Sequence, residues 1–138
     1  MPYHILMIHQ IRHMVDDPLI IAFVWCVMID VATGYIRSVF VRKTNSTRGL
    51  FGLIKHTIVL VSIISIYPYL ISLGYAWLAQ TMVWGFILNY LTSIVENWGE
   101  MGLWLPPQVK QILVKLQSDY DATDYNAITG AKKNKGGK

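Results

Sequence analysis

Residues 56–95 read HTIVLVSIISIYPYLISLGYAWLAQTMVWGFILNYLTSIV and contain no aspartate, glutamate, lysine or arginine. At about 1.5 Å of rise per residue, a single helix of this run would be roughly 60 Å long, twice the ~30 Å hydrocarbon core of a bilayer. The run is too long for one span and fits two, so the chain must reverse inside it. Ser72-Leu73-Gly74-Tyr75 supplies the turn. Tyr67, Tyr69, Tyr75 and Trp77 flank it, and such amphipathic aromatics favour a bilayer–water boundary. The expected spans are 57–73 and 77–97, with Pro68 kinking or ending the first of them.

Upstream, a further apolar run extends over 19–41, interrupted by Asp30 and Arg37, and forms the first span in chain order. Pro18 marks its start, because proline disfavours helix at the preceding residue and is tolerated in a first helical turn. Residues 1–17 place Met7, Ile8, Ile11, Met14 and Val15 at helical spacing, with His9, His13, Asp16 and Asp17 on the other side. This is the pattern of an interfacial amphipathic segment, and it accounts for His4, His9 and His13 without a metal. A signal peptide fits less well, since the apolar run meets Asp30 where a small-x-small cleavage site would stand.

Residues 42–55 form a polar connector rich in Lys, Arg, Ser, Thr and Gly. Beyond Trp98, residues 98–117 contain a short helix striped by Val109, Ile112, Leu113 and Leu116, suited to a membrane surface. Residues 118–138 read as a disordered charged tail, acidic at Asp119, Asp121 and Asp124 and basic at Lys132, Lys133, Lys135 and Lys138.

Composition supports the same class. The chain has 138 residues, 54% hydrophobic and 14% charged, with a mean hydropathy of +0.40. Soluble domains carry about 25% charged residues. An all-α integral membrane protein of three transmembrane helices is therefore expected, and a soluble enzyme is not. Cys26 is the single cysteine, so neither an intramolecular disulfide nor a cysteine zinc cluster can form. There is no Gly-rich phosphate loop and no nucleophile paired with a base; no catalysis, cofactor or metal is expected. The net charge of +4 sits beside the spans without interleaved aromatics, which favours membrane lipids over nucleic acid as the partner.

Arg37, Arg42, Lys43, Arg48 and Lys55 cluster around the connector with no acid among them, whereas residues 1–17 offer Arg12 against Asp16 and Asp17. The positive-inside bias places the connector in the cytoplasm, hence the N-terminus outside and the C-terminus, with Lys110, Lys115 and the final lysines, inside.

Polar residues within the spans are the candidate functional groups, because a charge at mid-span costs about 2.5–3.5 kcal/mol and usually faces protein or water. Thr33, Gly34, Arg37 and Ser38 share the helix face of Asp30, and Gly34 and Ser38 form a small-x-x-x-small pair that allows close helix approach. In the last span Thr81, Gly85, Asn89, Ser93 and Asn97 recur every four residues, with Thr92 and Glu96 alongside. By depth, Arg37 matches Glu96 and Asp30 matches Asn89, within one chain or between neighbours. The pattern fits fixed packing contacts between helices, and equally polar faces that line an aqueous opening after rearrangement.

Three segments together resemble the toxin-secretion/phage-lysis holin family. Asp30-Val-Ala-Thr33-Gly34-Tyr-Ile-Arg37-Ser38 is similar to its Asp-x-x-Thr-Gly-x-x-basic-small signature. Ser46-Thr-Arg48-Gly49-Leu50-Phe-Gly52-Leu53-Ile-Lys55 is similar to its basic connector. Asn89-Tyr-Leu-Thr-Ser93-Ile94-Val-Glu96-Asn97, followed by Leu105-Pro106, resembles the end of its last span. Tyr67-Pro68-Tyr69 departs from the family, where many members carry an acidic residue.

The resemblance implies a phage protein that forms a homo-oligomer in the host cytoplasmic membrane. It would open a lesion that releases endolysin, and the resemblance leaves open an antiholin partner. Asp30, Thr33, Arg37, Asn89, Ser93, Glu96 and Asn97 would then be inter-helix or lumen-facing groups. Gly34, Ser38 and Gly85 would be close-contact positions, and the four tail lysines would tune timing or hold lipid. A non-conducting scaffold of a membrane complex and a small ion channel or toxin-export subunit are the alternatives.

Overall fold

The computed structural model describes residues 2–41 and 46–129, and every regular element among them is helical. The chain divides into two compact units after Trp104. The first holds α1 (Tyr3–Val15), α2 (Pro18–Phe40), α3 (Ser46–Ser72) and α4 (Ala76–Glu100); the second holds α5 (Pro107–Thr129). α2, α3 and α4 are each long and apolar enough to cross a membrane.

The helix boundaries follow from local chemistry. Asp17 caps α2, its carboxylate accepting from the Leu19 amide at 2.9 Å, and Pro18 occupies the first turn, where the missing N–H costs nothing. α3 ends where Gly74 adopts φ +86°. There the Tyr75 amide reaches the Leu70 carbonyl at 2.8 Å and the Gly74 amide the Ile71 carbonyl at 3.1 Å. This six-to-one and five-to-two pairing is a Schellman cap. α4 ends the same way at Gly102, φ +74°, with Leu103 bonded back to Trp98 and Gly102 to Gly99. Trp77, Trp98 and Trp104 stand exposed near the two ends of α4, the positions of an aromatic belt.

Three expectations need correction. α3 begins at Ser46, so the described part of the connector, 46–55, is helical; extending a helix already paid for by the apolar span is cheap compared with nucleating one. Pro68 does not end α3, which continues to Ser72; so near the end of the helix the proline withdraws a single donor, the one that would reach the Ile64 carbonyl, and membrane helices tolerate such a loss. α5 runs on through Thr129 instead of giving way to disorder at 118, because no glycine or proline interrupts 108–129. The lysines at 132, 133, 135 and 138 lie outside the described residues.

Within the first unit, α2 packs most extensively on α4, and α1 lies mainly along α3. The core is a layer of Phe23, Val27, Val83, Ile87 and Tyr90, joined at the other end by Met14, Ile20, Ile63 and Tyr67. α1 turns Met14 inward with Met7 and Gln10 half-covered, while Ile8, Ile11 and Val15 remain exposed. Its packed face is thus rotated from the expected stripe, because α3 supplies the neighbouring surface.

Candidate functional site

Contacts in sequence order set the helix directions. Phe23 on α2 stacks against Phe86 and Tyr90 on α4, centroids 6.2 and 6.1 Å apart. Farther along both helices Asp30 meets Asn97, and beyond that Arg37 meets Glu100, so α2 and α4 run parallel. α3 opposes them, its early residue His56 facing Asp30 and its late residue Tyr67 facing Asp17.

At the buried level, Asn97 organises a polar seam. Its Nδ2 donates to Asp30 Oδ1 and to Thr33 Oγ1, each at 3.3 Å, and its Oδ1 accepts from Arg37 Nη1 at 3.2 Å. Thr33 donates its own hydroxyl proton to the Asp30 carbonyl at 3.1 Å, which leaves an oxygen lone pair for Asn97. Asp30 and Asn97 are 5% and 6% exposed, so these groups substitute for water they cannot reach. Arg37 Nε also pairs with Glu100 Oε2, toward the open end of the seam. Gly34 lies alongside: a methyl group placed there would stand 3.6 Å from Asn97 Nδ2, in ordinary contact.

α3 closes the seam from the third side. His56 Nε2 is 3.7 Å from Asp30 Oδ2, an ion pair when the imidazole is protonated and too long for a hydrogen bond. His56 Nδ1 shares a 3.2 Å hydrogen bond with the Tyr90 hydroxyl, and the two rings are 5.5 Å apart. One aspartate on α2 therefore faces polar groups from both other spans. At the opposite end of the bundle, the Tyr67 hydroxyl donates to Asp17 Oδ2 at 2.6 Å.

Among the expected residues, Asp30, Thr33, Arg37, Gly34 and Asn97 come together, while Asn89 and Glu96 are exposed and Ser93 and Gly85 half-buried. Ser38 is half-buried and bonds the Tyr35 carbonyl on its own helix at 2.7 Å. The expected depth matching is displaced within the chain: Asp30 meets Asn97 where Asn89 was expected, and Arg37 meets Glu100 where Glu96 was expected. The Phe23–Phe86–Tyr90 layer sets this register. The four-residue row also winds: each step overshoots a 3.6-residue turn by about 40°, so from Thr81 to Asn97 it travels about 160° around α4. Its last member faces α2 and its middle faces outward.

Sequence reasoning missed His56, Tyr90, Glu100 and the Tyr67–Asp17 bond. His56 carried a signal, being the sole histidine in an otherwise uncharged run and, in an antiparallel second span, level with Asp30. Among the described residues no three His, Cys, Asp or Glu side chains converge on a metal site, although the His9 and His13 rings lie 4.5 Å apart on α1.

Three long apolar helices joined by a buried polar seam define a multi-span helical membrane protein. The sequence profile of the bacteriophage holin family matches residues 12–118, which takes in all three spans and the start of α5, and the chain belongs to that family. It is also 33% identical over 99 residues to an uncharacterized protein of Halalkalibacterium halodurans, covering 67% of this chain and 73% of the relative. No solved structure gives a significant match.

Proposed function

We propose that this protein is a holin that assembles in the host cytoplasmic membrane and opens lesions through which endolysin reaches the cell wall. The family match over residues 12–118 carries this reading, because it spans the whole membrane region. The basic residues from Arg37 to Lys55 support a cytoplasmic connector, with the N-terminus outside and the C-terminus inside. Lys132, Lys133, Lys135 and Lys138 would then lie at the inner leaflet, where each contributes about 1 kcal/mol of attraction to anionic lipid and can tune timing.

Physically, the seam is a set of contacts that can be exchanged. Asp30, Thr33, Arg37 and Asn97 satisfy one another inside a single bundle. Groups with that inventory of donors and acceptors can equally be satisfied by water lining an opening between bundles. Conversion between the two requires helix repacking and no bond chemistry.

Coexpression with an endolysin that lacks its own export signal tests the reading. Abrupt lysis after a delay is expected. Growth without leakage would indicate a scaffold instead, and passage of small ions without folded protein would indicate a channel.

A further inference from the structure

The outward side of α4 carries a polar group that nothing in the single bundle serves. Asn89 lies near the midpoint of α4 (Ala76–Glu100) and is exposed, with no side-chain hydrogen bond among the described residues. Three threonines of the spans behave differently. The hydroxyls of Thr57, Thr81 and Thr92 turn back onto the carbonyls of Leu53, Trp77 and Leu88 of their own helices, at 2.7–2.9 Å. These hydroxyls are at home beside lipid. A carboxamide has two donors and an acceptor, and hydrocarbon answers none of them.

We propose that the α4 face centred on Asn89 is where a second copy of this chain docks, with the two Asn89 carboxamides hydrogen-bonded to each other across facing α4 helices. The inference rests on the holin reading and names the partner and the surface within it. A carboxamide is self-complementary: its N–H donates to the oxygen of an identical group, which an isologous contact between copies provides. Gly85 and Ser93, one turn to either side, are small and half-buried, and let the backbones approach. Asn97 is excluded from this face, being engaged with Asp30, Thr33 and Arg37. Lipid as the occupant would leave a mid-span amide unpaired. Glu96 is exposed on the same side, so two copies bring like charges together near the helix end, and the contact is weakened by that carboxylate.

Cross-linking in membranes tests the face. The full chain carrying Cys26→Ala and Ser93→Cys is expressed in bacterial membranes and oxidised with copper phenanthroline. A covalent dimer is expected. Asn89→Leu should reduce it by about fivefold, the loss of one interhelical amide pair, while Asn89→Gln retains it. Glu96→Gln should increase it. The same experiment with the cysteine moved to Val61, exposed on α3, should give little dimer. Absence of the Ser93→Cys dimer, equal dimer with leucine at 89, or equal dimer from position 61 would overturn the proposal. Lysis is scored separately with coexpressed endolysin. A dimer without lysis sustains the face and removes the holin function, whereas lysis without the dimer does the reverse.

Discussion

Asn97 on α4 donates to the Asp30 carboxylate on α2 at 3.3 Å, and both side chains are almost wholly buried. The contact joins residues 67 positions apart in the chain. It is the point at which the first and third spans recognise each other by polar chemistry.

Replacing Asp30 with leucine should leave membrane insertion intact, since a costly buried carboxylate is removed, while depriving Asn97 of an acceptor. Loss of about 1–3 kcal/mol in α2–α4 association is expected, with Asp30→Asn milder because an acceptor oxygen remains. Denaturation in detergent micelles measures the first effect. Lysis should be abolished or mistimed in the leucine variant, and wild-type timing would refute the site.

Phe23 is fully buried between α2 and α4. Lipid is as apolar as a protein core, so Phe23→Ala forfeits packing more than solvent transfer. The expected cost is about 1–3 kcal/mol, below the 3–5 kcal/mol common in aqueous cores. Because this aromatic layer fixes the register, cysteine pairs placed across Asp30 and Asn97 should cross-link less specifically in that variant.

Tyr67→Phe removes the hydrogen bond to Asp17 and leaves the cap on Leu19 in place. A bond to a carboxylate contributes about 1.5–3 kcal/mol, enough for about a tenfold change in local opening. Arg12, the sole tryptic site before Arg37, reports on the neighbouring helix α1. Trypsin should cut there faster in the phenylalanine variant, and an unchanged rate would show that the bond does not hold that end of the bundle.

Two glycines should answer alanine differently. At Gly34 the added methyl meets Asn97 at an ordinary 3.6 Å, so little change in stability is expected. At Gly74, φ +86° places any side chain in the left-handed region at a cost of about 1–2 kcal/mol. Thermal unfolding of the two variants should separate by that amount. A large loss at Gly34 would mean that the helices approach more closely there than the single bundle requires.

The three spans, the turn at Gly74, the polar character of Asp30, Thr33, Arg37 and Asn97 and the family were all legible in the sequence. The family was legible through motifs that resemble it, and the rest are properties of composition or local spacing: an uncharged run exceeds one bilayer thickness, and one glycine supplies a backbone conformation that others avoid. The register between α2 and α4 was not legible, because Phe23, Phe86 and Tyr90 decide it by shape. His56 and Tyr67 gained their partners only when α3 folded back antiparallel. Nor could a four-residue row reveal that Asn97 points inward and Asn89 outward, since its slow winding matters only once a neighbour fixes the helix rotation. Sequence alone determined which groups must find partners in the membrane, because lipid offers none. Tertiary packing decided which partners they found, because that depends on how interlocking side chains set helix register and rotation.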